Sequence, residues 1–343
     1  MRGGHSELTK ADAAQSTGGL DRDYITQYSY GQSELFTLFI PNIKGGASAK
    51  PEKGGMVPLN LSDLPDAQER IASGKIDGIT AQFLQYLSQY FGEPEGTNGP
   101  VYVGAVIFAL FLLGCVIVKG PVKWTLLILT ILSALLALGR NFMGLTDLFI
   151  DFVPMYSKFR TVESILVIAE FTIPVLAILA LQKLLTADAR GRGYRKPFLW
   201  TFGVTMLFCL LAVVSPSIYG SVITDNDLYV SKMLGEALAA QGYPAEAVRQ
   251  FSLDNPAVVN AVQTLRYEMI SADAMRSFMF VAAAFGVLAL YMYGRLSRWI
   301  AVTAVGVIVL GDLYTVNKRY VDHDSFCTCL LYTSPSPRDG ATS

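Results

Sequence analysis

Charged residues, histidine and cysteine are all scarce in this sequence of 343 residues. Charged side chains make up 16% of it, well below the roughly 25% of an average soluble domain. The formal net charge is −1, a balance that gives nucleic-acid binding no support.

The four cysteines give little indication of chemistry. Cys115 and Cys209 lie in apolar runs, where cysteine behaves as a small hydrophobic residue. Cys327 and Cys329 could form a metal site with His323, but no fourth ligand accompanies them. We therefore predict no metal site and no cofactor, although a divalent metal ion remains open.

Apolar sequence is what the chain has in abundance, since apolar residues make up 52% of it. They are concentrated in six runs, each approaching the roughly 20 residues that cross a bilayer. Such a run could also be a buried helix of a large soluble protein, but six in succession favour a membrane protein. The predicted spans are Val101–Val118, Val122–Leu138, Thr161–Leu185, Phe198–Ile218, Met275–Tyr293 and Trp299–Val316.

Basic residues in the short loops predict the orientation, because Lys and Arg accumulate on the cytoplasmic side. The segments between these loops are acidic: residues 1–100 hold twelve acidic and eight basic residues, and residues 219–274 hold seven and three. We expect both segments to lie outside the cytoplasm. The basic loops carry Lys119 and Lys123, then Arg190, Arg192, Arg195 and Lys196, then Arg295 and Arg298.

The predicted fold is an all-α polytopic membrane protein with six transmembrane helices and extracytoplasmic α+β loops. Gly18 to Ile40 reads as strands or an interfacial element closed by a turn at Gly45 and Gly46. Asp77 to Phe91 predicts a helix on the membrane surface. The regions are an outer segment (1–100), four helices (101–218) with an interfacial segment (139–160), a helical outer loop (219–274), two helices (275–316) and a following outer segment (317–326).

Both ends of the chain depart from this pattern. Residues 1–100 contain no signal peptide although they are expected outside, so we expect a further span before Met1. Residues 330–339 look like translated sequencing adaptor, and we treat residues 327–343 as a non-native tail. A Pro/Ser-rich disordered tail is the alternative.

Charged residues surround the interfacial segment. Leu145–Tyr156 predicts a short amphipathic helix that places Asp147 and Asp151 on its polar side. Lys158, Arg160 and Arg140 follow or precede it at the expected depth of lipid phosphates. Each cation could snorkel to ordinary headgroups, but their combination with several carboxylates favours a site.

Two carboxylates fall inside predicted spans. Glu170 lies about 14 Å along the helix from Thr161, at 1.5 Å per residue, on the same face as Glu163 and Pro174. Lipid does not tolerate such a group unless protein surrounds it, so Glu170 is a functional candidate, with a structural hydrogen bond as the alternative. For Asp312, near the outer end of the last span, the structural interpretation is favoured.

Long stretches of the chain resemble the YfhO-like membrane proteins of Bacteroidetes. The residues that carry the resemblance are GLDRDYITQYSYGQSELFTLFIPNIKGG (Gly19–Gly46), YFGEPEGTNGPVYVGA (Tyr90–Ala105), GRNFMGLTDLFIDFVPMYSKFR (Gly139–Arg160), VIAEFTIPVLAILAL (Val167–Leu181) and DLYTVNKRY (Asp312–Tyr320).

That family is similar to the C-type glycosyltransferases. The resemblance implies transfer of a sugar from a polyprenyl-phosphate carrier to a cell-envelope acceptor, at the outer face of the bacterial inner membrane. Arg140, Lys158 and Arg160 are then candidates for the carrier phosphate, with Glu163 as their organising partner. The family's catalytic Asp would precede Met1. A transporter or lipid flippase, or a non-catalytic scaffold, is the alternative.

Overall fold

The computed structural model describes residues 20–52, 55–321 and 323–326, and it is mostly helical. The described part contains one two-stranded antiparallel sheet, formed by β1 (Ala49–Glu52) and β2 (Gly55–Pro58). The α-helices are α1 (Arg22–Ile25), α2 (Pro65–Ala72), α3 (Gly78–Leu84), α4 (Ala105–Ile117), α5 (Pro121–Ala137), α6 (Met143–Phe152), α7 (Val167–Thr186), α8 (Arg195–Val214), α9 (Asp225–Ala240), α10 (Ala245–Gln250), α11 (Pro256–Met292) and α12 (Arg298–Tyr320).

The helical bundle is that of an all-α membrane protein. Within the described residues, four helical segments are long and apolar enough to cross a bilayer. Helix α5 with the segment that contains α6 makes a fifth, bent by 113°, if that pair is one span. Helix α4 has 13 residues, so the count of six spans stays a prediction. The four segments are Val162–Thr186, Gly191–Val214, Pro256–Met292 and Arg298–Tyr320.

The bundle has two distinct ends. Helices α4, α7 and α12 pack with α5, α8 and α11. One end of this bundle carries the segments 20–100 and 219–255, and we call that end the loop side. The short basic connections lie at the opposite end. Tyr291 donates a hydrogen bond to the carbonyl of Leu185 there, 2.9 Å away. The interior of the bundle is apolar, with residues such as Leu113, Ile173, Phe202 and Val281 fully or almost fully buried.

Helix α11 connects the bundle to the loop side without a break. Asn255 caps it by accepting from the N–H of Ala257, and Pro256 occupies its first turn. The helix then continues for 37 residues through the expected boundary between residues 274 and 275. Its first turns form a second apolar core with the loop segments, which includes Leu61, Phe83, Val258 and Val262.

The segment before the first span folds differently from the expectation of strands. Asp21 caps α1 by accepting from the N–H of Asp23, and Gln32–Leu38 forms a 3₁₀ helix, so of the two alternatives, strands or an interfacial element, strands are wrong. The 3₁₀ helix is supported locally, because the Glu34 carboxylate accepts from the N–H of Gly31 at its start. The glycine turn is present, with φ of +84° at Gly45 and +80° at Gly46. The expected surface helix after Asp77 is shorter than predicted and ends at Leu84.

Candidate functional site

A cleft of about 760 Å³ opens on the loop side, and we call it the loop-side cleft. Most of its lining comes from the segment 88–95, the residues that follow α5, and the segment 220–226, and Ser33 and Lys44 complete it. Its volume is in the range typical of small-molecule sites. The charged and amide side chains that line it include Lys44, Glu93, Glu95, Arg140, Asn141 and Asp225.

A second cavity of about 440 Å³ adjoins the cleft and shares Ser33, Glu93, Asn141 and Gly220 with it. Its remaining lining includes Phe36, Ile218 and Tyr219, which lie just beyond the loop-side end of α8. The Tyr219 hydroxyl donates to the carbonyl of Phe208 in α8, 2.7 Å away. The second cavity therefore extends the cleft toward the end of α8, where Phe36, Ile218 and Tyr219 add apolar surface to a polar lining.

Glu34 holds one wall of the cleft in place. Its carboxylate is 1% exposed and accepts from the N–H of Gly31 at 2.7 Å, the N–H of Glu93 at 3.1 Å and the Tyr90 hydroxyl. Burial raises the pKa of Glu34 above its usual value, and these hydrogen bonds oppose the rise. A Cβ at Gly92 would lie 2.0 Å from the Glu34 Oε1, so only glycine lets the backbone pass this closely.

Lys44 and Arg140 bring positive charge to the cleft from two directions. The Lys44 ammonium donates to the carbonyl of Ser221 at 3.4 Å, and burial lowers the pKa of Lys44. The Arg140 guanidinium is exposed and donates to the carbonyl of Glu93 at 3.1 Å. Asn141 donates to the Glu93 carboxylate at 2.6 Å. The residues that follow α5 thus hold the tip of the segment 88–95.

A buried ion pair holds the opposite wall. Arg266 is 0% exposed and donates to both carboxylate oxygens of Asp227, at 2.6 and 2.9 Å. The same guanidinium donates to the carbonyls of Val222 and Ser88 and lies over the Phe91 ring. Because α11 supplies Arg266, both loop segments that line the cleft are fixed to the longest helix of the bundle. Removing one partner of such a pair leaves an uncompensated buried charge.

The other predicted phosphate ligands share no hydrogen bond or ion pair with Arg140 in the described part of the chain. Arg160 donates to the Tyr24 hydroxyl at 2.7 Å and stacks over its ring. The Lys158 side chain is exposed, with no hydrogen-bond or ion-pair partner in the described part of the chain. No ion pair links Glu163 to these cations in the described part of the chain. The Glu163 Oε2 is buried without a hydrogen bond. No hydrogen bond or ion pair among the described residues links the four to one another, and their shared phosphate site stays a prediction.

Asp147 and Asp151 share a single cation. Both lie on α6, as the amphipathic pattern predicted, and both bind the guanidinium of Arg22, which lies 2.7 Å from the Asp151 Oδ1. All three side chains are about 40% exposed. The apolar side of α6 is exposed too, with Phe152 at 79%. These contacts attach α1 to the interfacial helix.

Asp312 is at the centre of a polar network at the loop-side end of α12. Its carboxylate is 1% exposed and accepts from Arg276 at 2.8 Å, the Tyr102 hydroxyl at 2.6 Å and the N–H of Ala105 at 2.9 Å. Arg276 also pairs with Asp273, which binds Arg319 in turn. The network joins α11, α12 and the start of α4, so Asp312 contributes to the packing of three helices.

Glu170 has the opposite environment. It lies in α7 on the exposed side of the helix, beside Phe171, whose side chain is 68% exposed. No hydrogen bond or ion pair reaches the Glu170 side chain from any residue that the structure describes. The expectation that protein surrounds this carboxyl is not met within one chain.

Sequence reasoning missed Glu34, Lys44 and the Asp227–Arg266 pair. Glu34 and Lys44 lie in short segments with no regular spacing, and 39 residues separate the ion pair. The segment Gly92-Glu93-Pro94-Glu95-Gly96 was the available signal, because acidic residues between turn formers favour an exposed functional loop.

Among the described residues, no group of three or more His, Cys, Asp and Glu side chains could hold a metal ion. Cys327 and Cys329 lie outside those ranges. Comparison with protein-family models, curated proteins and solved structures gave no match to this chain.

Proposed function

We propose that this chain is part of a membrane glycosyltransferase that uses a polyprenyl-phosphate-linked sugar at the outer face of the bacterial inner membrane. The observation that carries the proposal is the pairing of the two cavities. A cleft with two cations opens on the loop side, and the adjoining cavity adds Phe36, Ile218 and Tyr219 to a lining that is otherwise mostly polar. A lipid-linked sugar needs both kinds of contact, polar for its phosphate and sugar and apolar for the start of its lipid.

The basic connections at the opposite end of the bundle support the orientation. Lys and Arg accumulate in cytoplasmic loops, so the loop side faces outward in the proposal. The cleft would then open where the headgroups of carrier lipids lie. The resemblance to YfhO-like proteins supports the same assignment.

The charges of the cleft suggest how such a substrate would be oriented. Lys44 and Arg140 are the cations in its lining, and both can bind phosphate oxygens. Glu93, Asp225 and Asn141 can accept from or donate to sugar hydroxyls. Phe36 and Ile218 suit the first isoprene units of the lipid. The proposal assigns binding, and not proton transfer, to these side chains.

Sugar transfer in membranes that contain the full-length protein tests the proposal. Polyprenyl-phosphate-linked sugar would be the donor, and wild type would be compared with Arg140→Ala and Lys44→Met. Each variant removes a charge-assisted hydrogen bond to phosphate, so we expect transfer to fall about tenfold or more. Lys158→Ala is the matched control, because that cation lies outside the cleft lining and should leave transfer near the wild-type rate.

Equal transfer by the Arg140, Lys44 and Lys158 variants would remove the cleft assignment. If none of these proteins transfers sugar, and if Glu170→Gln abolishes an ion-coupled uptake, a transporter is favoured instead. Absence of both activities would favour a scaffold.

A further inference from the structure

The exposed side of α7 forms a continuous apolar stripe with a single carboxyl on it. Val167, Phe171 and Ile178 are 61%, 68% and 64% exposed, and Pro174 lies between them. These four positions follow each other at intervals of 4, 3 and 4 residues, the spacing with which two helices interlock. Glu170 lies three residues after Val167 and four before Pro174, on the same side of the helix.

Lipid alone is a poor partner for this stripe. Glu170 is about 12 Å along the helix from Val162, at 1.5 Å per residue, which is deep in a hydrocarbon layer of about 30 Å. A carboxyl at that depth normally faces protein or a water-filled space. The neighbouring helices α4 and α5 cover the other side of α7 and leave Glu170 without a partner among the described residues.

We propose that this stripe, defined as Val167, Glu170, Phe171, Pro174 and Ile178, is a dimer interface that binds α7 of a second copy of this chain around a two-fold axis. The proposal is independent of the proposed transferase activity.

A second copy suits Glu170 for two physical reasons. Two copies that cross the membrane in the same direction have their Glu170 side chains at the same depth. A protonated carboxyl both donates and accepts a hydrogen bond, so it is complementary to its own copy. A two-fold axis brings identical surfaces together in this way. A helix of different sequence, whether of another protein or the span expected before Met1, would need its own polar group at the matching depth, which is costly in lipid.

Disulfide cross-linking in native membranes tests the interface. The full-length protein would carry Phe171→Cys on a background in which Cys115, Cys209, Cys327 and Cys329 are replaced by serine or alanine. We expect a cross-linked species of twice the chain mass. Val307→Cys is the matched control, since Val307 is 63% exposed on α12, far from the stripe in sequence and on another helix, and should not cross-link.

The chemistry of Glu170 is tested by two further variants on the Phe171→Cys background. Glu170→Gln keeps a donor and an acceptor, so the yield of cross-linked dimer should stay near that of the parent. Glu170→Leu keeps the size and loses both, and we expect the yield to fall about threefold to tenfold. Gel-filtration profiles in mild detergent would confirm that both variants are folded.

Three outcomes would overturn the proposal: equal cross-linking at positions 171 and 307, equal yields from the Gln and Leu variants, or a product whose mass shows a different protein as the partner. Transfer activity measured on the same membranes keeps this test separate from that of the proposed function, because loss of the dimer and loss of transfer are read independently.

Discussion

Asp312 and Glu170 are both carboxyls inside membrane-spanning helices, and they have opposite surroundings. Asp312 accepts from an arginine, a tyrosine and a backbone N–H, and almost none of it is exposed. Glu170 has no partner within the described part of the chain and lies on the exposed side of α7. The first carboxyl completes the fold of one chain, whereas the second indicates a contact that one chain does not contain.

Their different surroundings follow from the charges nearby. Around Asp312, two aspartates and two arginines alternate, so that Arg276 lies between Asp312 and Asp273, and Asp273 binds Arg319. Opposite charges then compensate each other, and the remaining donors are satisfied. On α7 the nearest basic side chain in the sequence after Glu170 is Lys183, more than three turns away. Glu170 therefore cannot be compensated from its own helix.

Removing the Asp312 carboxylate should produce the largest effect. In Asp312→Ala, Arg276 and the Tyr102 hydroxyl lose their shared acceptor in a buried place, so we expect the free energy of unfolding to fall by about 3–5 kcal/mol. Glu170→Ala should lower it by less than about 1 kcal/mol, because no contact within the chain is lost. Denaturant-induced unfolding of the purified protein in detergent measures both.

The double variant Asp312→Leu with Arg276→Met is the control for this prediction. It removes both charges and should be more stable than Asp312→Ala, because no unpaired charge stays buried. Equal losses in Asp312→Ala and Glu170→Ala would contradict the distinction between the two carboxyls.

The sequence was sufficient for the apolar helices and insufficient for the contacts between them. Runs of apolar residues predicted the helical segments around Val162–Thr186, Gly191–Val214 and Arg298–Tyr320, since the pattern is a local property. The N-cap at Asn255 and the short helix α6 were also predictable from local signals. Of the two alternatives before Ile40, strands or an interfacial element, strands were wrong, because local hydrogen bonds at Asp21 and Gly31 and tertiary packing outweighed the alternation.

The candidate site depended on contacts over long sequence separations, which no local pattern carries. Glu34 and Tyr90 are 56 residues apart, and Lys44 and Ser221 are 177 apart. Arg140 and Arg160 bind different parts of the chain, the carbonyl of Glu93 and the hydroxyl of Tyr24, and Lys158 has no hydrogen-bond or ion-pair partner among the described residues. Proximity in sequence was therefore a poor guide to which cations share a site.

Glu34 extends the comparison to a carboxyl outside the spans. Burial raises its pKa, so its contribution to stability is present below the ordinary value of 4.5 and is lost as the pH rises through the folded-state pKa. Glu34→Gln does not titrate and can keep the three hydrogen bonds if the Tyr90 hydroxyl accepts. We expect the stability of wild type relative to this variant to decrease as the pH rises above 4.5.

Unfolding of both proteins by denaturant, from about pH 4 to pH 8, measures this difference, and groups common to both cancel. A difference that is constant with pH, or that increases, would show that burial does not raise the pKa of Glu34. The effect should be smaller than that of Asp312→Ala, because Glu34→Gln removes no hydrogen-bonding group.

The smallest effect is expected where the carboxylate is exposed. Asp151 binds Arg22 as closely as Asp312 binds Arg276, at 2.7 and 2.8 Å. Its side chain is 40% exposed, however, and Asp147 would still bind the same guanidinium in Asp151→Asn. Water and salt weaken such pairs, so we expect a change below about 0.5 kcal/mol in the free energy of unfolding. The two distances are nearly equal, so burial is the main difference between the two pairs. If Asp151→Asn lowered the free energy of unfolding as much as Asp312→Ala, burial would not set the strength of these pairs. The contrast between Asp312 and the exposed carboxyls would then lose its physical basis.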